Sequence, residues 1–412
     1  MERWILHCDM NSFYASVELL SHPELLDRPV AVCGSPKDRR GIVLAKNEIA
    51  KKCGVKTAET IWSAERKCPG LVLLPPHYDR YDEYSDIVNR IYIRYTDLVE
   101  PFSIDESWLD VTGSLEHFGK SAVELADEIR AVVTDETGLT LSIGVSFNKI
   151  FAKMGSDYKK PDATTFIDRN NYKDILWTMP ARHLFFVGAV TAEKLKGMNI
   201  HTIGDLAQAD PAFLTEALGK HGTQLYTYAN GLDDSPVAKY SERRAVKSVG
   251  NGITFKRNLT GRDDVRTALK AIADRVAGRL RAQGMRAGGV KLDIKDPGFR
   301  VITRQLQLDR PTDLAADIHN AAMDLAERNW RFEDPIRLLT VTAINLQDDA
   351  QDEQLSFDML DSGDEEQDRA MEETLDSIRR KFGRHAIVFG SIVDNDLGIS
   401  SGRREDIEYE ER

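Results

Sequence analysis

SIDESWLDVTG, residues 103–113, sets two adjacent acids, Asp105 and Glu106, between the mainly apolar runs Leu98–Ile104 and Ser107–Val111. Successive side chains on a strand point to opposite faces, so two neighbouring acids meant for one site belong at a bend between strands. Gly113 closes the second run. Before it, Tyr84, Ile87, Val88, Ile91, Tyr95 and Leu98 recur at the helical period. After it, Ala122, Leu125, Ala126, Ile129, Val132 and Val133 mark a second helix, which Gly138 ends. Leu141, Ile143 and Val145 then alternate as a last strand. At the N-terminus, Trp4–Cys8 reads as a short buried strand running into a helix from about Ser12 to Leu20. Strand–helix–strand–strand–helix–strand is the ferredoxin-like order. Here it carries a large insertion after the first helix, with short apolar runs at Pro29–Cys33 and Gly41–Ala45. The order hosts many functions and selects none by itself.

Asp9 ends the first strand, and a ferredoxin-like sheet lays that end beside the bend at Asp105-Glu106. Three carboxylates so close repel unless cations neutralise them. Mg²⁺ suits such oxygen ligands and leaves open positions for phosphate oxygens. Two such ions about 4 Å apart can activate an attacking hydroxyl and stabilise a leaving pyrophosphate. Taken singly, Asp9 also suits a helix N-cap, and Asp105-Glu106 a polar hairpin turn.

At 412 residues and 42% hydrophobic, the chain suits two to four domains with a real core. No stretch approaches ~18 consecutive apolar residues, and the N-terminus lacks a signal-peptide pattern, so neither a spanning helix nor export is expected. Cys8, Cys33, Cys53 and Cys68 form no C-x-x-C pair, which fits free thiols in a reducing cytoplasm. The net charge of −12 hides an uneven distribution. Residues 347–412 hold 20 acids against 8 Lys+Arg, and residues 1–346 balance at 47 each. Residues 240–305 hold 16 Lys+Arg against 6 acids, a basic block able to track a phosphate backbone.

Beyond Pro161 the pattern changes. Phe185–Leu206 reads as two short helices around a Gly-containing turn, loosely repeated by Leu214–Leu225. This is a helix-hairpin-helix pattern, whose turns offer backbone N–H groups to a phosphate, and it equally suits a helical packing module. Gly231–Tyr240 reads as a linker. A second α+β unit follows, strand-like at Val246–Phe255, Gly289–Ile294, Val301–Leu308 and Ile336–Leu346, helical at Val265–Leu280 and Asp313–Trp330. Residues 347–367 are acidic and expected to be flexible, a helix is expected at about Asp368–Phe382, and the last residues read as disordered.

DMNSFYASVE (Asp9–Glu18), SIDESWLDVTG and SIGVSFNKIFAKMGSDYKKPD (Ser142–Asp162) together resemble the three active-site motifs of the Y-family translesion DNA polymerases, the group that contains bacterial DNA polymerase IV, at matching spacing. The resemblance covers about residues 1–346. It implies an α+β, multidomain polymerase right hand: a ferredoxin-like palm (1–18 and 78–166), small fingers (19–77), a helix-hairpin-helix thumb (167–232), a linker (233–241) and an α+β little finger (242–346), before an acidic tail (347–412). It also implies two Mg²⁺ held by Asp9, Asp105, Glu106 and the Met10 carbonyl, with Asp105 and Glu106 catalytic. Tyr14 falls on the aromatic that senses the sugar, and Phe13, Tyr14, Lys51 and Lys160 on the nucleotide site. Lys159 offers the same charge one residue before Lys160. Gly188, Lys247, Lys256, Arg257, Lys291 and Arg304 become DNA contacts, and Gln354, Leu355 and Phe357 resemble a sliding-clamp peptide. Primer-template DNA and deoxynucleoside triphosphates are the implied partners of a monomer in the bacterial cytoplasm.

Two departures stand out. Asn11 replaces an acid that many relatives carry, and Asn47-Glu48-Ile49-Ala50-Lys51 stands where N-Y-x-x-R is usual. Glu48 is expected to pair with Lys46, Lys51 or Lys52 rather than turn outward, Lys52 being its i,i+4 neighbour. Intact acids argue against a catalytically inactive relative, and the thumb pattern with the basic block argues against a nucleotide cyclase built on the same palm.

Overall fold

The computed structural model describes residues 2–35, 41–242, 245–348, 362–383, 386–393 and 395–399. They divide into two compact units, residues 1–33 with 43–243 and residues 244–412 with 34–42. No described helix is long and apolar enough to cross a membrane.

The first unit runs β1 (Ile5–Met10), α1 (Phe13–Leu19), β2 (Val30–Cys33), β3 (Val43–Lys46), α2 (Glu48–Lys52), α3 (Ile61–Lys67), β4 (Val72–Leu74), α4 (Tyr78–Ile93), β5 (Val99–Pro101), β6 (Glu106–Asp110), α5 (Leu115–Phe118), α6 (Ala122–Thr137), β7 (Leu141–Ser146), α7 (Lys149–Tyr158) and β8 (Thr164–Ile167). Four helices close it: α8 (Ala189–Gly197), α9 (Ile203–Gln208), α10 (Pro211–Leu218) and α11 (Lys220–Ala229). The main sheet has the order β5-β6-β1-β7-β8, whose first four strands give the ferredoxin-like arrangement. β8 is an addition to the expected four strands; it pairs parallel to β7 after the α7 crossover. Its four residues, TTFI, carry too little alternation to announce a strand.

α6 is fixed at both ends, by the Ser121/Glu124 capping box and by Gly138 at φ 73°. α7 lies hard against β7: a Cβ at Gly144 would fall 1.9 Å from the Ala152 carbonyl oxygen. That close approach is possible only for glycine, and it seats the α7 side chains over the sheet. Residues 231–240, read as a linker, carry no regular element yet are pinned to the sheet. Lys149 Nζ pairs with Glu100 at 2.6 Å, Glu100 accepts the Ala238 N–H at 3.0 Å, and Val237 is buried against Ile5, Trp108 and Ala152.

In the second unit, β9 (Ser248–Leu259), α12 (Gly261–Arg281), β10 (Met285–Lys295), β11 (Val301–Thr312), α13 (Ala315–Asn329) and β12 (Ile336–Asp348) precede α14 (Ser362–Phe382). The antiparallel sheet runs β11-β10-β12-β9 with α12 and α13 on one face. The helix expected at about Asp368–Phe382 is present as α14, and the expectation of disorder beyond it needs correcting for residues 386–393 and 395–399. Arg281 binds Glu372 and Asp376, Arg379 binds Asp274 at 2.9 Å, and Arg369 binds Asp313 at 2.9 Å, so α14 lies on the domain. Ile392, Leu397 and Ile399 are buried in the same core. Each such burial contributes up to about 1.5–3 kcal/mol, more than the polar composition of the tail suggests.

Candidate active site

β1 and β6 are antiparallel neighbours in a register that sets Asp9 directly opposite Glu106. Opposed residues share a face, so both carboxylates stand on the same side of the sheet. Asp105 lies one residue earlier, in the bend before β6, and the Met10 N–H donates to its carbonyl at 3.0 Å. The bend thus brings the third acid round to the other two. Asp9, Met10, Asp105 and Glu106 line a cleft of about 360 Å³ with Asn11, Ser12, Phe13, Tyr14, Lys46, Glu48, Lys51, Thr57 and Lys160.

The cleft is strongly coupled. Burial, with the charges of Asp9 and Glu106 adding to it, raises the Asp105 carboxyl above its ordinary range against a hydrogen bond from Ser103 Oγ at 2.7 Å. Burial pushes Glu106 up as well, but His7 and Lys153 outweigh it and hold the group down at about 2. His7 is wholly buried, which lowers its own pKa, with Nδ1 2.8 Å from Ser156 Oγ and Nε2 3.4 Å from Glu106 Oε2. Lys153 Nζ lies 3.0 Å from Asp9 and 3.1 Å from Glu106, and Lys160 Nζ lies 2.6 Å from Asp9. These carboxylates raise both lysines despite burial.

Lys160, not Lys159, therefore enters the cleft. Of the two consecutive aromatics, Phe13 is buried in the core and Tyr14 is half-buried, its ring stacked on Tyr81 with centroids 4.0 Å apart and planes at 10°. Asn11 is buried against Ser142 and Thr140, a packing position. Glu48 pairs with a nearby lysine as expected, with Lys51 at 3.1 Å, i,i+3, rather than its i,i+4 neighbour Lys52. Asn47 explains the difference. Its side chain accepts the Ala50 and Val30 N–H groups, starting α2 so that Glu48 and Lys51 both face the cleft.

The proposed DNA contacts separate. Gly188 caps the exposed start of α8 with backbone alone. Lys247 is exposed just before β9. Lys291 opposes Gln305 and Thr342 on the sheet face away from α12 and α13, and exposed Lys256 shares the alternation of Gly252 and Thr254 on that face. Two of these residues are already engaged within the domain. Arg257 is held between Asp264 at 2.5 Å and Asp396 at 2.6 Å. Arg304 opposes inward-facing Leu292 and donates to Asn329 on α13 at 3.0 Å. Part of the basic block is thus spent on the acidic tail. Gln354, Leu355 and Phe357 lie outside the described residues.

Lys153, His7 and Asp157 went unassigned by sequence reasoning. The signal was present: Lys149, Lys153, Asp157 and Lys160 recur at four, four and three residues, one face of a helix. Nothing in the spacing says that a lysine face turns inward.

Family models match three stretches: the impB/mucB/samB family over residues 8–157, its C-terminal domain over 246–357, and the DNA polymerase-iota thumb domain over 184–233. The chain is 43% identical to DNA polymerase IV of Acetivibrio thermocellus, across 97% of this chain and 100% of that protein. It is 38% identical to DNA polymerase IV 1 of Bacillus subtilis, across 97% and 95%. A solved Y-family DNA polymerase chimera superposes with a TM-score of 0.75 at 22% identity, covering 84% of this chain and 99% of its own.

Proposed function

Because the chain belongs to the Y-family DNA polymerases, in the impB/mucB/samB family, we propose that it extends a primer 3′ end on a DNA template by nucleotidyl transfer and serves translesion synthesis. The observation that carries this reading is the convergence of Asp9, Asp105 and Glu106 with Tyr14, Lys51 and Lys160 on one cleft.

Family membership implies divalent-metal-dependent catalysis, and the residues fit such an ion. The donors are hard carboxylate oxygens, with no thiolate or imidazole on the cleft wall that would favour a softer metal. Asp9, Asp105, Glu106 and the Met10 carbonyl would hold two Mg²⁺, which would ease deprotonation of the primer hydroxyl and offset charge on the leaving pyrophosphate. Lys51 and Lys160 take the phosphates, as point charges in place of a guanidinium fork. The Tyr14 ring fills the place where a ribose 2′-hydroxyl would be buried without a partner. Lys247, Lys256 and Lys291 track duplex phosphates. A sliding clamp reached through Gln354, Leu355 and Phe357, and a monomer working in the cytoplasm, complete the proposal.

Primer extension with Mg²⁺ on undamaged and abasic templates tests it, with and without a sliding clamp. Template-dependent elongation, stimulated by the clamp only while Leu355 and Phe357 are intact, is the expected result. No elongation under any metal would leave a DNA-binding relative.

Lys51→Ala should raise the KM for deoxynucleotides by about tenfold, ~1.4 kcal/mol, with little change in DNA affinity. Steady-state kinetics beside a DNA-binding titration decide it, and an unchanged KM would put the triphosphate on other residues. The grip itself is electrostatic, so log Kd should rise steeply with log[salt], by about 0.9 per phosphate neutralised. Substituting Lys291 and Lys256 together by Ala should lower that slope by about two; an unaltered slope would remove this sheet face from the interface.

A further inference from the structure

Lys153 is 8% exposed, and its ammonium reaches three carboxylates: Asp9 Oδ2 at 3.0 Å, Glu106 Oε1 at 3.1 Å and Asp157 Oδ2 at 3.1 Å. Asp9 Oδ2 also receives Lys160 at 2.6 Å, and Lys160 meets Asp157 at 2.8 Å. The two lysines differ. Lys153 sits on α7 at the close approach to β7, with a side chain 10% exposed, whereas Lys160 follows the helix and is 26% exposed. Lys153 is absent from the cleft wall, while Lys160 lines it. Lys160 can exchange a carboxylate for a phosphate by a change of rotamer, and Lys153 is fixed behind the acids.

A charge count shows what the fixed ammonium does. Asp9, Glu48, Asp105, Glu106 and Asp157 bring five negative charges, and Lys46, Lys51, Lys153 and Lys160 return four, leaving one. One divalent cation already offsets that remainder. A second would be in excess until a triphosphate supplies further negative charge. We propose that Lys153 is a positioning residue that sets the divalent-cation affinity of the Asp9/Glu106 pair, restricting the site to one ion until a nucleotide brings the charge for the second. This rests on Asp9 and Glu106 being metal ligands. Lys153 touches neither nucleotide nor metal. It acts by holding one oxygen of each carboxylate and by subtracting a charge.

Mn²⁺ titration of the full chain, followed by the electron paramagnetic resonance of free Mn²⁺, tests the proposal without any turnover. The wild-type protein should take up one Mn²⁺ alone and two with a non-hydrolysable deoxynucleoside triphosphate analogue. Lys153→Met should bind Mn²⁺ about tenfold or more tightly without nucleotide, since a unit charge within a few ångströms of the ligands has gone. Its dependence on the analogue should shrink. Lys153→Arg, which keeps the charge, should stay near wild type, and Lys153→Gln serves if the Met variant fails to fold. Folded Met or Gln variants with wild-type or weaker affinity overturn the proposal. So does a wild-type protein that binds two Mn²⁺ equally well without nucleotide. Asp9→Asn separates the two readings: if it binds Mn²⁺ as wild type does, the ligand assignment has failed rather than the role of Lys153.

Discussion

Asp105→Ala should reduce nucleotide addition by about a thousandfold or more, ~4 kcal/mol of barrier at ~1.4 kcal/mol per decade. Primer-template affinity should be largely unchanged. Asp105 sits in the bend before β6, and what ties that bend to β1 is its backbone carbonyl, which accepts the Met10 N–H at 3.0 Å. Alanine keeps that bond and loses only the carboxylate and its Ser103 partner. The substitution therefore removes a hard oxygen ligand from a site whose other acids already carry two lysines. Single-turnover extension beside an equilibrium DNA-binding measurement decides the matter. Extension near the wild-type rate would mean that Asp105 holds no catalytic ion.

Tyr14→Ala should raise ribonucleotide use relative to deoxyribonucleotide by about 10- to 100-fold, ~1.4–2.8 kcal/mol of discrimination. The ring is held from behind. Tyr14 stacks on Tyr81, and Tyr81 is fully buried with its hydroxyl donating to the buried Glu18 carboxylate at 2.5 Å. Tyr78 meets the same ring edge-on at 6.1 Å. With its supports fixed in this way, the gap left by alanine should stay open for a 2′-hydroxyl. Tyr14→Phe keeps the volume and should keep most of the discrimination. Competition of matched ribo- and deoxyribonucleotides, read as the ratio of kcat/KM, checks both. Equal ratios for wild type and the alanine variant would assign Tyr14 to packing alone.

Much of the palm was legible because its signals are local. The short apolar run of β1, the alternation along β7, the Gly138 stop and the paired acids at a bend led to the sheet in which Asp9 faces Glu106. What escaped depends on which way a charge turns. Lys153 and His7 are hidden by the convention that lysine and histidine face water. The acidic tail looked solvated because Glu372, Asp376 and Asp396 were counted with their own neighbours in sequence, whereas their partners Arg281 and Arg257 lie over ninety residues away. The Asn329 partner of Arg304 was out of sight for a related reason. Strand parity, once the register with Leu292 is known, turns Arg304 toward α13. Glu48 pairs with Lys51, and both face the cleft.

The docking of α14 has a topological consequence for the peptide at Gln354–Phe357. β12 ends at Asp348, and the chain is tied down again where Arg369 meets Asp313 and Arg281 meets Glu372. If Gln354–Phe357 meet a sliding clamp as proposed, its groove would have to receive a segment that enters and leaves, like a thread drawn under a hook, rather than a chain end. A groove that relies on a terminal carboxylate would be the wrong shape for it. For such a motif, anchoring on either side would raise its local concentration at the domain.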